Sequence, residues 1–134
     1  MCTCMETERL VLDIDVASTS PGLARRAVRE YSLRHQVDGA TLDAALLIAT
    51  ELVTNAVRHG EEPITLCLQL LGDGALRVEV CDAGTMVEPL AGLRSGELAT
   101  TGRGLAIVSE YAKDWRVERR PHGKSVTADI AEPA

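Results

Sequence analysis

The stretch DAALLIATELVTNAVRHG, residues 43–60, decides the fold. Its apolar residues recur every three or four positions, which predicts a helix from about Leu42 to His59. Thr41 is the expected N-cap, and Gly60 is expected to end the helix. One side of this helix is apolar and should pack on a sheet. That side carries Leu42, Ala45, Leu46, Ala49, Leu52, Val53 and Ala56.

The opposite side of the same helix begins apolar and ends polar. Residues three, four, seven or eight positions apart share one helix face. The early, apolar part of this face holds Ala44, Leu47 and Ile48. The late, polar part holds Glu51, Asn55, Arg58 and His59. A face that changes in this way is typical of one wall of a pocket, whereas a fully solvated face would be polar throughout.

Strands are predicted on both sides of this helix. Leu10 to Val16 alternates apolar and polar residues, and a first helix follows to about Arg34, with Ser20 as its cap and Pro21 in its first turn. Downstream, two alternating segments, ITLCLQLL and LRVEVC, flank the turn GDG and predict an antiparallel hairpin. TGRGLAIVSEYA predicts a third helix, and DWRVERR and KSVTADIA predict a second hairpin that turns at PHGK.

This order of elements predicts the fold class. Antiparallel strand pairs with helices between them are typical of an α+β domain. We expect a two-layer sandwich whose sheet is mixed but mainly antiparallel and whose helices lie on one face. The 134 residues suffice for one domain, 1–134, and residues 1–8 are expected to be disordered or frayed. With no Phe, one Trp and two Tyr, the core must be aliphatic.

Charge and hydropathy limit the function classes. A formal net charge of −6 argues against nonspecific binding to nucleic acid. We expect no membrane-spanning helix, because no apolar run approaches the required length, and no signal peptide, because the first residues lack its apolar core. The expected location is therefore cytoplasmic. The four cysteines, Cys2, Cys4, Cys67 and Cys81, have no His at zinc-like spacing and are predicted to be free thiols.

Three stretches could carry chemistry, and the first is Glu51 with Asn55. An Asn oxygen is a suitable ligand for Mg²⁺, which takes few protein oxygens and keeps waters or phosphate oxygens. A Glu one helical turn away could accept a proton from an attacking hydroxyl. The alternative for this stretch is a solvated helix face with an ion pair between Glu51 and Arg58.

The second stretch is DAG, residues 82–84, at the end of a strand. The Asp82 carboxylate could accept a hydrogen bond from an amine, and Gly84 would allow a flat ligand to approach closely. The alternative is a plain turn. The third stretch is TGRGLAIV, residues 101–108, where backbone N–H groups at a helix start and Arg103 could hold an anion. The alternative is a glycine-rich helix start, since no Walker or dinucleotide pattern is present.

Taken together, ELVTNAVRHG, CDAGT and TGRGLAIV resemble the N box, G1 box and G2 box of the GHKL ATPase superfamily. The resemblance covers about residues 10–130. It is greatest to the small stand-alone branch, the anti-sigma-factor serine/threonine kinases of the RsbW type, and notably to their actinobacterial members. DAALLIATELVTNAVRHG and GRGLAIVSEYAKDW carry this finer resemblance.

The resemblance implies a role for each matching residue. Asn55 would coordinate Mg²⁺, Glu51 would be the catalytic base, and Asp82 would accept from the adenine amino group. The remaining nucleotide-binding residues would be Arg58, His59, Gly84, Thr101, Gly102, Arg103, Gly104 and Leu105. Residues 85–101, which have no clear period, would form the ATP lid. Where many relatives carry a Gly-Thr pair that helps to bind adenine, this chain has Gly123 and Lys124, and we expect Ser125 to substitute.

The function that the resemblance implies is an ATP-binding anti-sigma-factor regulator. It would use ATP and Mg²⁺, act as a protein serine/threonine kinase and phosphorylate an anti-anti-sigma partner of the STAS class. Its other partner would be a sigma factor, with no direct contact to nucleic acid or membrane. A homodimer through the first strand, which exposes Val11, is a further expectation. The alternative is a non-catalytic, nucleotide-dependent binding module of the same fold.

Overall fold

The computed structural model describes residues 8–16, 21–85 and 108–132. In chain order its elements are β1 Leu10–Ile14, α1 Pro21–Arg34, α2 Gly39–His59, β2 Ile64–Leu70, β3 Leu76–Asp82, β4 Asp114–Arg120 and β5 Gly123–Ile130. Residues 108–111 are helical and belong to the predicted third helix. The rest of that helix and nearly all of the proposed lid lie outside the described residues, as do residues 1–7.

The five strands form one sheet in the order β1-β2-β3-β5-β4. Each pairing between neighbouring strands is antiparallel, so in the described part of the chain the sheet is not mixed. β4 and β5 form the predicted hairpin, and β5 also pairs with β3, which places β5 inside the sheet. Helices α1 and α2 pack on the sheet, and the predicted α+β class is confirmed.

The core lies between the helices and one face of the sheet. Because side chains alternate along a strand, Val78 and Val80 of β3 face the helices while Arg77 and Glu79 face away. The core is aliphatic as predicted, with Tyr31 and Trp115 as its aromatic members. Burying one such aliphatic side chain contributes about 1.5–3 kcal/mol, so a set of this size holds the two layers together.

Helix α2 begins earlier than the sequence predicted. Its N-cap is Asp38, whose carboxylate accepts a hydrogen bond from the Ala40 amide at 2.8 Å. Thr41, the expected cap, is a buried helical residue whose hydroxyl has no partner in the described part of the chain. Asp caps a helix at least as well as Thr, so the helix starts at the first suitable residue. At the other end, the Gly60 amide donates to Ala56 as predicted.

By length and composition alone, α2 could span a membrane, contrary to our expectation. It has 21 residues and a mean hydropathy of 1.4 in its most apolar window. A helix that is central to a core meets the same test, and α2 packs on α1, β2, β3 and β5. Helix α2 is apolar because it is buried on two sides. The buried part includes Ile48 as well as the face that was predicted to pack on the sheet.

The face of the sheet that points away from the helices is polar. Asp129 accepts two hydrogen bonds from Arg77, at 2.7 and 2.9 Å, and Glu79 forms ion pairs with Arg9 and Arg120. The Arg77 hydrogen bonds hold the pKa of Asp129 below its ordinary value. This face also carries a groove of about 380 Å³.

Candidate functional site

The two predicted stretches ELVTNAVRHG and CDAGT meet at a small pocket between α2 and the sheet. α2 contributes Asn55 and His59, and β3 contributes Asp82 from its last position. β5 completes the wall with Lys124. The remaining lining residues of the pocket are apolar: Leu52, Ala56, Val80 and Val126. The structure therefore brings Asn55, His59 and Asp82 to one place, which is the grouping that the resemblance implied. The helical period had placed Asn55 and His59 on the side of α2 away from the sheet, whereas both line a pocket against it.

Asn55 is buried and incompletely bonded. It is 8 % exposed, and its side-chain nitrogen has no hydrogen-bond partner among the described residues. A buried polar group without a partner costs about 1–3 kcal/mol, so native proteins keep few of them. Ser32, His35 and Thr41 also have a buried atom without a partner, but of these four residues Asn55 is the one that lines this pocket, so its nitrogen can donate to a bound ligand.

Asp82 is buried at the end of β3, on the same face as Val80. Its Oδ1 accepts three hydrogen bonds: from Lys124 Nζ at 2.9 Å, from the Gly84 amide at 2.7 Å and from the Glu61 amide at 3.4 Å. None of these bonds reaches Oδ2. The carboxylate is therefore held in place on one oxygen, while the other is not engaged by any residue in the described ranges.

Glycines let the backbone pack directly against this carboxylate. A Cβ on Gly60 would lie 2.5 Å from Cγ of Asp82, and a Cβ on Gly84 would lie 2.9 Å from its Oδ1. Gly123 has φ of +147°, and a Cβ there would overlap the carbonyl oxygen of Asp82. At Gly84 the close neighbours are protein atoms, Asp82 Oδ1 and Lys124 Nζ, so the predicted approach of a flat ligand stays a prediction, and the role of Gly60 was not predicted.

Lys124 is the site residue whose position the sequence analysis missed. It pairs with Asp82 in the register between β3 and β5, and its side chain points toward the helices. The sequence indicated Lys124 only as the residue that stands where many relatives carry the Thr of a Gly-Thr pair. A usable signal was present, because Lys124 precedes Val126, Ala128 and Ile130 at a period of two and therefore shares their buried face.

Ser125 lies on the other side of the sheet. Its backbone pairs with Cys81, and its hydroxyl accepts a hydrogen bond from Arg120 Nε at 3.1 Å. Neighbouring residues of a strand point to opposite faces, so Ser125 cannot share the face of Asp82. The expectation that Ser125 substitutes for the missing Thr is wrong in this structure, since Lys124 takes the position beside Asp82.

The remaining predicted site residues are less closely grouped. Glu51 is partly buried one helical turn before Asn55, and it does not line the pocket. In the described part of the chain it forms no ion pair with Arg58, which is exposed. The predicted phosphate-binding residues, Thr101, Gly102, Arg103, Gly104 and Leu105, lie outside the described residues.

The polar groups of the pocket suit Mg-ATP, but the volume of the pocket is too small for it. Asn55 could give one oxygen to Mg²⁺, which suits an ion that also uses phosphate oxygens and water. Among residues 8–16, 21–85 and 108–132, no three His, Cys, Asp or Glu side chains cluster to hold a metal without such help. The pocket volume is about 10 Å³, which has room for about one water molecule but not for a purine.

Comparison with known proteins identifies the fold family. Residues 15–130 match the family described as the histidine kinase-like ATPase domain. An uncharacterized protein of Streptomyces coelicolor, SCO4941, is 34 % identical over 84 residues, which are 61 % of this chain and 80 % of that protein. The match to the family spans both stretches that form the pocket.

Solved structures share the same fold at lower identity. The RsbU and RsbW domains of Rv1364c from Mycobacterium tuberculosis align with a TM-score of 0.70 and 23 % identity over 96 % of this chain and 34 % of theirs. The SiaB-SiaC complex of Pseudomonas aeruginosa aligns with a TM-score of 0.66 and 16 % identity over 90 % and 89 %. The chain thus spans about a third of the solved chain that holds those RsbU and RsbW domains. Because the family match covers most of the sequence, the chain belongs to the histidine kinase-like ATPase domain family.

Proposed function

We propose that this chain is an ATP-binding regulator of the RsbW type. One observation carries the proposal: in a chain of an ATPase family, Asn55 and Asp82 converge on one pocket. Asn55 offers an unpartnered side-chain nitrogen, which can donate to a phosphate oxygen, and Asp82 offers a fixed carboxylate with one unengaged oxygen. These are the groups needed for a metal-bound phosphate and for an amino group of a base.

The proposed reaction is transfer of the γ-phosphoryl group of ATP to a serine or threonine hydroxyl of a protein partner. The bond between the γ-phosphorus and the β–γ bridging oxygen of ATP breaks, the new bond to the hydroxyl oxygen forms, and ADP leaves. Asn55 positions the metal, and Asp82 orients the base. Glu51 takes the hydroxyl proton from the partner, because it lies one helical turn, about 5.4 Å along the axis, before Asn55. Positioning of this kind supplies most of the catalysis in phosphoryl transfer.

The proposed partners are a sigma factor and an anti-anti-sigma protein of the STAS class, in the cytoplasm. Two observations support a protein partner: the similar fold of an RsbW domain, and the similar fold in a complex of SiaB with SiaC. A non-catalytic binding module is the second candidate function. It is favoured by the position of Glu51, which is absent from the lining of the pocket that holds Asn55 and Asp82.

One pair of variants separates binding from chemistry. Asn55→Ala should weaken the Mg²⁺-dependent part of ATP affinity in calorimetry, because a metal ligand is lost. Glu51→Ala should leave ATP binding unchanged and lower phosphotransfer about 10²–10⁴-fold under single-turnover conditions. Glu30→Ala, which removes an exposed carboxylate from α1, is the control.

The assay uses labelled ATP and a partner co-purified from the native lysate. A wild-type chain that binds this partner in an ATP-dependent way, yet transfers no phosphate to it, rules out the kinase and leaves the binding module. A chain that does not bind ATP at all rules out both functions.

A further inference from the structure

The ion pair between Asp82 and Lys124 is the feature of the pocket that the proposed function does not use. The two side chains are 3 % and 2 % exposed and meet at 2.9 Å. A buried ion pair gives little net stability, because removing both charges from water costs about as much free energy as their attraction returns. Its presence in a pocket therefore calls for an explanation other than stability.

The position of the lysine is specific. A Cβ on Gly84 would lie 3.2 Å from Lys124 Nζ, so the ammonium already fills the space beside this glycine. The same nitrogen donates to Asp82 Oδ1. With Lys124 in place, the remaining volume of about 10 Å³ is far too small for a nucleobase. Lys124 thus takes up part of this small pocket and bonds to its carboxylate.

The lysine amine and an exocyclic amino group of a base are alike in one respect. Both present N–H donors that a carboxylate accepts, so they compete for the single Asp82 carboxylate in a pocket too small to hold both. The lysine differs in being tethered by a flexible chain of four carbons, which allows it to leave without movement of the strand. An intrachain donor of this kind lowers the apparent affinity of any base that must replace it.

We propose that Lys124 is an internal competitor of the nucleobase, which enters the pocket only when the Lys124 ammonium leaves Asp82. The proposal rests on the proposed binding of ATP at this pocket. It assigns to Lys124 the control of nucleotide affinity, through a contact that holds the pocket closed in the absence of ligand.

Lys124 can be removed without leaving Asp82 unsatisfied. The Asp82 carboxylate would keep its hydrogen bonds from the Gly84 and Glu61 amides. Backbone N–H groups stabilise the charged form of a carboxylate, so a folded variant is expected. Lys124→Ala removes both the volume and the charge, and Lys124→Thr introduces the residue type of the Gly-Thr pair.

The chain offers a matched control, because Lys113 is its other lysine. Lys113 pairs with Asp73 at the surface at 3.0 Å. The experiment measures Mg-ATP affinity by calorimetry for the wild type, Lys124→Ala, Lys124→Thr and Lys113→Ala. We expect both Lys124 variants to bind at least about tenfold more tightly, since a charged hydrogen bond no longer has to be broken, and Lys113→Ala to match the wild type.

A second measurement follows the lysine itself. Acetylation of the wild type, quantified by mass spectrometry with Lys113 as the internal reference, should find Lys124 protected without nucleotide. At saturating Mg-ATP, Lys124 should react faster relative to Lys113. Continued protection of Lys124 in the ATP complex would overturn the proposal.

The outcomes distinguish the two proposals. If the wild type binds ATP and the Lys124 variants bind equally or more weakly, Lys124 is no competitor, while the proposed ATP binding stands. If the Lys124 variants bind and the wild type does not, the competitor is confirmed and the unmodified chain is not an ATP-binding protein by itself. If neither the wild type nor any variant binds ATP, both proposals fail, because removing the Lys124 side chain then does not let a base enter the pocket.

Discussion

Replacing Asp82 by Ala should destabilise the fold severely. The change leaves the Lys124 ammonium, 2 % exposed, without its carboxylate. Removing one partner of a buried ion pair typically costs about 3–5 kcal/mol, because a charge stays buried and uncompensated. The Gly84 and Glu61 amides lose their acceptor as well. Against a total stability of about 5–15 kcal/mol, this is a large share.

The single tryptophan provides the assay. Trp115 is 6 % exposed, and its Nε1 donates to Ser109 at 2.8 Å, so its fluorescence should report unfolding in urea. Lys124→Ala should cost only about 1–2 kcal/mol, because Asp82 keeps two backbone donors. The double variant should be more stable than Asp82→Ala alone, since the unpaired charge is gone. An Asp82→Ala chain within about 1 kcal/mol of the wild type would refute this reasoning.

This expectation changes how an Asp82 variant is interpreted. Loss of ATP binding in Asp82→Ala could reflect an unfolded chain as easily as a missing base contact. Its binding has to be measured in the double variant with Lys124→Ala. In that background, a remaining loss of affinity belongs to the carboxylate itself.

Two further predictions concern the polar face of the sheet. The lowered pKa of Asp129 means that its stabilising contribution is complete above about pH 4 and is lost as the pH falls through the folded-state value. Urea denaturation should therefore find Asp129→Asn less stable than the wild type at pH 7, with a gap that narrows as the pH falls below about 4, and a gap that stays constant would contradict this. Burial, followed by the charge of Glu79, raises the pKa of Cys81 to about 11, so its alkylation should keep accelerating above pH 9. A rate that levels off near pH 8.5, as in the urea-unfolded control, would contradict it.

The meeting of Asn55 with Asp82 was implied by the resemblance, because the helix period alone placed Asn55 on the side away from the sheet. The periods of the sequence predicted the elements, because helix and strand periods determine which side chains share a face. They did not predict the partner of Lys124. That contact depends on the register between β3 and β5, two strands separated by 40 residues of chain, and a local period carries no information on such pairing. The prediction for Ser125 failed for a simpler reason. Its role was inferred from its position next to Lys124 and not from the alternation of side chains along the strand.

The cap of α2 shows a second limit. Thr41 fits an N-cap by residue type, and so does Asp38 three positions earlier. Propensity alone does not choose between two good caps. The cap at Asp38 places Thr41 inside the helix, where its side chain is buried, while Gly39 and Ala40 stay exposed.

The position of β5 has a consequence for folding. This strand follows every other strand in the chain, yet it pairs on both sides, with β3 and with β4. Until it docks, β3 presents an unpaired edge that invites contact with other chains. Since β5 also carries Lys124, its docking completes the sheet and closes the pocket in one step. A newly made chain therefore cannot form this pocket before its last strand is in place.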